Sequence, residues 1–374
     1  MNEATNPRLF PTLDSIESIL WPGGALLVFF VTAVLVDTMI LLAMRWRLLD
    51  LPNIRSAHSL PTARGGGTPM VLTCCLASLS VGFRWPSLAF GVVLGIVLPS
   101  LAIAVVGFLD DLKPLRASLR LLVQIAVAVA VVLVLGPLRS VSLPGFGPIG
   151  FGWLAWPLSI VWIVGLTNAF NFMDGSDGMA ALGAFVVAAA MVFMGLVTGD
   201  LAMVLLAAFV GAAAGGFLVF NWSPARIFMG DVGSAFLGTF FAALALLASQ
   251  QSREAVFIPM VMALWPYIYD PLLSVMRRAW NGHNPLVPHR EFLFHRLIRS
   301  GTSHRHAAIL YAVLSLMGGA AGLLMLDEGI PPASRCLLPL TTVLLAAGLT
   351  YGIERRCRQV GLDNATRRPA GVPG

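Results

Sequence analysis

Thirteen residues, Asn168 to Ala180 (NAFNFMDGSDGMA), set two carboxylates, two carboxamides and two Asp-Gly steps between long apolar runs. Ionisable groups at the edge of a bilayer are costly and imply a task. Aspartates and carboxamide oxygens are hard ligands that suit Mg²⁺ or Mn²⁺. Glycines let backbone N–H groups approach an anion or a flat base. Two further acidic segments share this character. GFLDDLKPLRASLR at 107–120 places Asp110 beside Asp111, with Lys113, Arg116 and Arg120 near enough to offset the repulsion of adjacent carboxylates. NWSPARIFMGDVGSAFLG at 221–238 places Asp231 just before an apolar run, where a carboxylate and the N–H groups of a helix start suit a metal–phosphate pair.

The elements that must position these groups are membrane helices. The chain is 57% hydrophobic and 11% charged, with a mean hydropathy of +0.84; soluble domains carry about 25% charged residues. It reads as an all-α, polytopic integral membrane protein. A span needs about 20 apolar residues, and eleven stretches meet or approach that length: 24–44, 68–84, 87–108, 119–136, 153–170, 180–198, 201–220, 234–250, 255–275, 306–326 and 336–353. The second and eighth are the shortest. Residues 1–21 lack the basic start and cleavage site of a signal peptide, so insertion is expected to rely on the first helix. Cys74 and Cys75 read as small core hydrophobes, and none of the four cysteines shows metal-ligand spacing.

Lys and Arg collect in cytoplasmic loops. With the N-terminus outside, 19 of the 24 fall on the inner side, and only Arg8, Arg84, Arg139, Arg253 and Arg335 fall outside. The net charge of +6 is therefore a topology signal, and no nucleic-acid partner is expected. Residues 1–354 are expected to form one transmembrane catalytic domain, and 355–374 a basic cytoplasmic tail without fixed structure. Asp110 and Asp111 follow the third span, the central stretch follows the fifth, Asp231 follows the seventh, and the loop around His289 follows the ninth. All four segments then face the cytoplasm and can form one site.

Together the acidic segments resemble the polyprenyl-phosphate N-acetylhexosamine-1-phosphate transferases, glycosyltransferase family 4. The resemblance rests on an Asp-Asp motif, an NxxNxxDGxDG motif and a PAxxFMGDxGS motif, in order over about residues 45–300. LPNIRSAHSLPTARGGG at 51–67 and RRAWNGHNPLVPHREFLFHRL at 277–297 look like the O-antigen-type branch. That branch reads HRxHxY where this chain has His289-Arg290-Glu291-Phe292, with His295 close by as a substitute. The tri-histidine-type motif of the peptidoglycan translocase is not present.

The resemblance implies transfer of an N-acetylhexosamine-1-phosphate from a UDP-sugar to undecaprenyl or another polyprenyl phosphate, with release of UMP. This would initiate O-antigen or other cell-envelope polysaccharide synthesis from the cytoplasmic side of the inner (cell) membrane. It implies Mg²⁺ or Mn²⁺ on Asp231 and Asn171, catalytic roles for Asp110, Asp111 and Asp231, and a nucleotide held by Asn221, Phe228, Asp177 and Asp174. Arg120, Arg64, His289, Arg290 and His295 match positions that contact phosphate or sugar, and a homodimer fits the same picture. A phosphomonoester has its second pKa near ~6, so the acceptor is already dianionic and Asp110 is expected to act by position and charge. Phe292 offers an apolar face where the pattern has an imidazole, which predicts a 6-deoxy donor of the fucosamine or quinovosamine type. Asp37, well inside the first span, is expected to pair with a neighbouring element. The competing reading, an ion-coupled transporter, needs acids near mid-bilayer on repeated, broken helices.

Overall fold

A computed structural model describes residues 17–46, 49–50, 61–84, 90–251, 255–282 and 291–362. Helices form at all eleven expected places: α1 (Glu17–Trp46), α2 (Gly67–Arg84), α3 (Phe90–Leu112), α4 (Ala117–Leu135), α5 (Ala155–Met173), α6 (Met179–Thr198), α7 (Leu201–Asn221), α8 (Asp231–Gln251) and α9 (Phe257–Trp280), then α11 (His304–Leu326) and α13 (Pro339–Gln359). Two short helices, α10 (Leu293–Arg299) and α12 (Pro332–Arg335), precede the last two. Ten of the long helices are long and apolar enough to cross a membrane. The protein is an all-α polytopic membrane protein.

Of the two shortest expected spans, α2 stays short and α8 reaches 21 residues. α2 has 18 residues and ends in Arg84, a reach of about 27 Å at 1.5 Å per residue. Much of it is buried against α1, α3, α7 and α8. α8 is buried over all but its ends, chiefly between α3 and α5. Close packing on it depends on Gly107 of α3, where a Cβ would run into the Asp231–Val232 backbone.

Helix ends follow local chemistry. Asp200 caps α7 by accepting from the Met203 N–H at 2.9 Å, and Ser303 caps α11 by accepting from His306. The Pro- and Gly-rich stretch at 140–150 forms an antiparallel hairpin, pairing Ser140–Leu143 with Gly147–Gly150. α13 continues to Gln359, so the first residues of the expected tail are helical; 363–374 lie outside the described residues.

The ends of α3, α5 and α7 and the starts of α4, α8 and α11 meet at one end of the bundle. The 140–150 hairpin and α12 lie at the other. This is the arrangement that span parity requires for a single site.

Candidate active site at one end of the bundle

The site is built around the start of α8, and backbone pairing locks that start in place. Residues just before α2 run beside those just before α8. The Phe228 N–H donates to the Ala63 carbonyl at 2.9 Å, while the Gly66 and Gly67 N–H groups donate to the Phe228 and Met229 carbonyls at 3.0 Å. Asn221, 3% exposed at the end of α7, closes the same loop from below. Its Oδ1 accepts from the Gly178 N–H at 3.0 Å and its Nδ2 donates to the Ile227 carbonyl at 2.9 Å. The amide thus ties the DGSDG turn to the segment ahead of Asp231. Asp177 does the same from the turn, accepting from the Ala225 N–H at 3.2 Å.

Four carboxylates gather on this frame. Asp111, at the end of α3, accepts from the Asp231 and Val232 N–H groups at 3.3 and 3.4 Å, filling donors that a helix start leaves open. Gly230 makes this possible: its φ is +73°, and a Cβ there would collide with the Asp111 carboxylate. Asp110 accepts from the Leu115 N–H at 2.6 Å and from Arg120 Nη1 at 2.8 Å. The same Arg120 nitrogen reaches Asp231 Oδ2 at 3.3 Å. Asn171 hydrogen-bonds the Asp231 carboxylate and donates to Ser234 Oγ at 3.1 Å. Asp174 accepts from the Gly230 N–H, and burial together with the nearby charges of Asp231 and Asp111 pushes it well above the usual carboxylate range.

One guanidinium cannot neutralise four neighbouring carboxylates. Arg64 adds charge near Asp111 but is ion-paired to Asp50 at 3.2 Å. The donor set of carboxylates and one carboxamide fits Mg²⁺ or Mn²⁺ in chemistry and in unmet charge. Among the described residues no three His, Cys, Asp or Glu close into a protein-only cage.

The structure brings Asp110, Asp111, Arg120, Asn171, Asp174, Asp177, Asn221, Phe228 and Asp231 into one region. Phe228 is half-buried. His295, on α10, stands at the central turn: a Cβ on Gly175 would lie 2.9 Å from its Nε2. His289 and Arg290 lie outside the described residues. Asn221, expected to read the nucleotide, spends both ends of its amide on the backbone. Asp37 pairs with Arg226 Nη2 at 3.4 Å, the expected local partner.

Phe292 requires a correction. It is 5% exposed and packs on Phe172 and Phe294, with ring centroids at 5.5 and 5.9 Å. A ring held in the core does not present an apolar face to a donor, so the argument for a 6-deoxy sugar fails. Sequence reasoning also missed His304, whose Nδ1 lies 2.9 Å from Ser176 Oγ in the central turn, and the mutual amide pair of Gln124 with Asn168 at 2.7 Å. His304 follows a serine at a helix start, the one signal that could have drawn it out of a basic loop.

Comparison with known proteins agrees with this geometry. Residues 93–249, from α3 through α8, match glycosyl transferase family 4. A probable undecaprenyl-phosphate N-acetylglucosaminyl 1-phosphate transferase of Bacillus subtilis is 32% identical over 272 residues, 72% of this chain and 75% of that protein. The chain belongs to glycosyl transferase family 4. Within the family, a decaprenyl-phosphate N-acetylglucosaminephosphotransferase of Mycolicibacterium smegmatis is 33% identical over 319 residues, 77% of this chain and 78% of that one. A phospho-N-acetylmuramoyl-pentapeptide-transferase of Synechococcus is 37% identical over 224 residues, covering 57% of this chain and 62% of its own. These family relatives move sugar phosphates, and the first two carry N-acetylglucosamine in their names; none singles out the O-antigen branch. Membership also disfavours the transporter reading, since the acids meet at one end of the bundle.

Proposed function

We propose that the protein transfers an N-acetylhexosamine-1-phosphate from a UDP-sugar to polyprenyl phosphate, at the cytoplasmic face of the cell membrane and with Mg²⁺. An oxygen of the acceptor phosphate forms a bond to the β-phosphorus of the donor, and the bond from that phosphorus to the bridging oxygen breaks. The products are a polyprenyl diphosphate sugar and UMP. The observation that carries this reading is the meeting of Asp110, Asp111, Asp174 and Asp231 with Arg120 from α3, α4, the α5–α6 turn and α8.

A bound divalent ion would supply charge neutralisation between acceptor and donor phosphates. Asp231 and Asn171 would hold it, with Asp174 and Asp111 adjacent. Arg120, fixed by Asp110 and Asp231, keeps its remaining N–H groups for phosphate oxygens. Phe228 and Asp177 flank the place for the uracil, and Asn221 holds the walls of that place together. The positive-inside bias supports the cytoplasmic orientation. UDP-N-acetylglucosamine is the first donor to try, because the relatives' names share that sugar.

The test is UMP release by purified protein given undecaprenyl phosphate, Mg²⁺ and a panel of UDP-sugars. Release that depends on both lipid and Mg²⁺ is expected with at least one UDP-N-acetylhexosamine. No release with any of them would end this reading.

A further inference from the structure

Asp270 sits on α9 with 0% exposure, one turn after Tyr267. A buried carboxylate is costly unless its oxygens are met, and here they are met in full. Oδ1 accepts from the Leu293 N–H at 2.6 Å; Oδ2 accepts from the Phe294 N–H at 3.0 Å and from the Tyr311 hydroxyl at 2.7 Å. Among the described residues no Lys, Arg or His forms an ion pair with it. Leu293 and Phe294 open α10, so the carboxylate satisfies donors that a helix start leaves without partners.

α10 has seven residues, too few to hold its own shape or place. It carries His295, whose imidazole faces Gly175 in the acidic turn. The other side of that gap is referenced to the same turn of α9: the Tyr267 hydroxyl donates to the carbonyl of Met179, the first residue of α6 after the acidic turn. Tyr311 joins the two, bonding Asp270 and packing edge-on to Tyr267 and Phe294. One buried network therefore sets how far His295 stands from the Asp174–Gly178 turn.

We propose that Asp270 is a positioning residue for the transfer reaction: it seats α10 so that His295 meets the bound donor at the acidic turn. The inference rests on the functional reading above. Asp270→Asn keeps the volume but turns an Nδ2 donor toward a backbone N–H or the tyrosine hydroxyl, so α10 loses its seat while the fold around it persists.

Donor and acceptor titrations of the purified enzyme test this with D270N, H295A and the double variant. Each single change should raise the donor KM about tenfold and leave the acceptor KM within about twofold. Because one residue acts through the other, the double variant should be no worse than about twofold beyond the poorer single variant. Tyr311→Phe removes one of the donors to Asp270 and should raise the donor KM about threefold; it replaces D270N in the cycle if D270N does not fold. A wild-type donor KM in D270N, an H295A enzyme without defect, multiplying losses, or a loss confined to kcat with a lowered thermal midpoint would each overturn the inference while leaving the transferase reading intact. Failure of the wild-type enzyme to release UMP would sink the functional reading and this inference with it.

Discussion

Asp231 and Asp270 are aspartates of two neighbouring helices, and their oxygens are used in opposite ways. Asp270 is enclosed, and its partners are neutral donors, two of them the N–H groups that open α10. Asp231 stands among Asp110, Asp111 and Asp174, sharing one arginine with Asp110. The first arrangement is complete without a ligand. The second carries negative charge that one arginine does not balance, and the proposed cation and phosphates would meet it. On the proposed function, the difference separates an acid that holds a protein together from one that would hold a substrate.

The largest effect is expected at Asp231. Asp231→Asn keeps shape and removes one charge, so turnover should fall about a thousandfold, as several kcal/mol of charge stabilisation are lost. The thermal midpoint should hold or rise, because repulsion among the acids is relieved. A clear drop in midpoint would show that Asp231 is a structural acid like Asp270, and would break the contrast.

Asn221→Ala comes next. It leaves the Gly178 N–H and the Ile227 carbonyl buried without partners, at about 1–3 kcal/mol each. A lower thermal midpoint and a higher donor KM should appear together. A donor KM effect with unchanged midpoint would instead make Asn221 a direct nucleotide contact.

Asp174 gives a pH dependence. Its raised pKa in the ion-free protein means that it still holds a proton at pH values where an ordinary carboxylate, with pKa near ~4, has lost it. A bound cation favours the charged form, so binding expels that proton, and Mn²⁺ affinity should weaken as pH falls from neutrality. Titration followed by the Mn²⁺ paramagnetic signal checks it, and Asp174→Asn should flatten the dependence. Flat affinity in the wild-type protein would remove Asp174 from the cation's surroundings.

The smallest effect is expected at Glu354. It holds Arg277 and Arg296 at 2.7 Å each and ties α13 to the outer side of α10. Both pairs are partly exposed, a setting worth about 0–1 kcal/mol. Glu354→Gln should change the donor KM less than twofold. An effect as large as that of D270N would move the seat of α10 from α9 to α13.

The acids of the candidate site were legible in the sequence because residue type is itself the signal: carboxylates beside apolar runs have few structural uses. Charge bias and span parity put them at one end, and the bundle agrees. Asp270 could not be read in the same way. Its partners are two backbone amides and a hydroxyl 41 positions away, and no spacing rule announces them. Phe292 failed for a related reason. Its place in a motif predicted what it would touch, but Phe172 on α5 claimed the ring. The eighth span looked short at 234–250, but its helix begins earlier, at the site carboxylate Asp231, and runs to Gln251.

The central claim is that the acidic end of α3, α5 and α8 transfers a sugar together with its phosphate. UDP-N-acetylglucosamine radiolabelled in the β-phosphate, incubated with the purified enzyme, undecaprenyl phosphate and Mg²⁺, tests it most directly. The account predicts label in the lipid fraction and unlabelled UMP in the water phase. Label that stays with the nucleotide while sugar moves to lipid would contradict it.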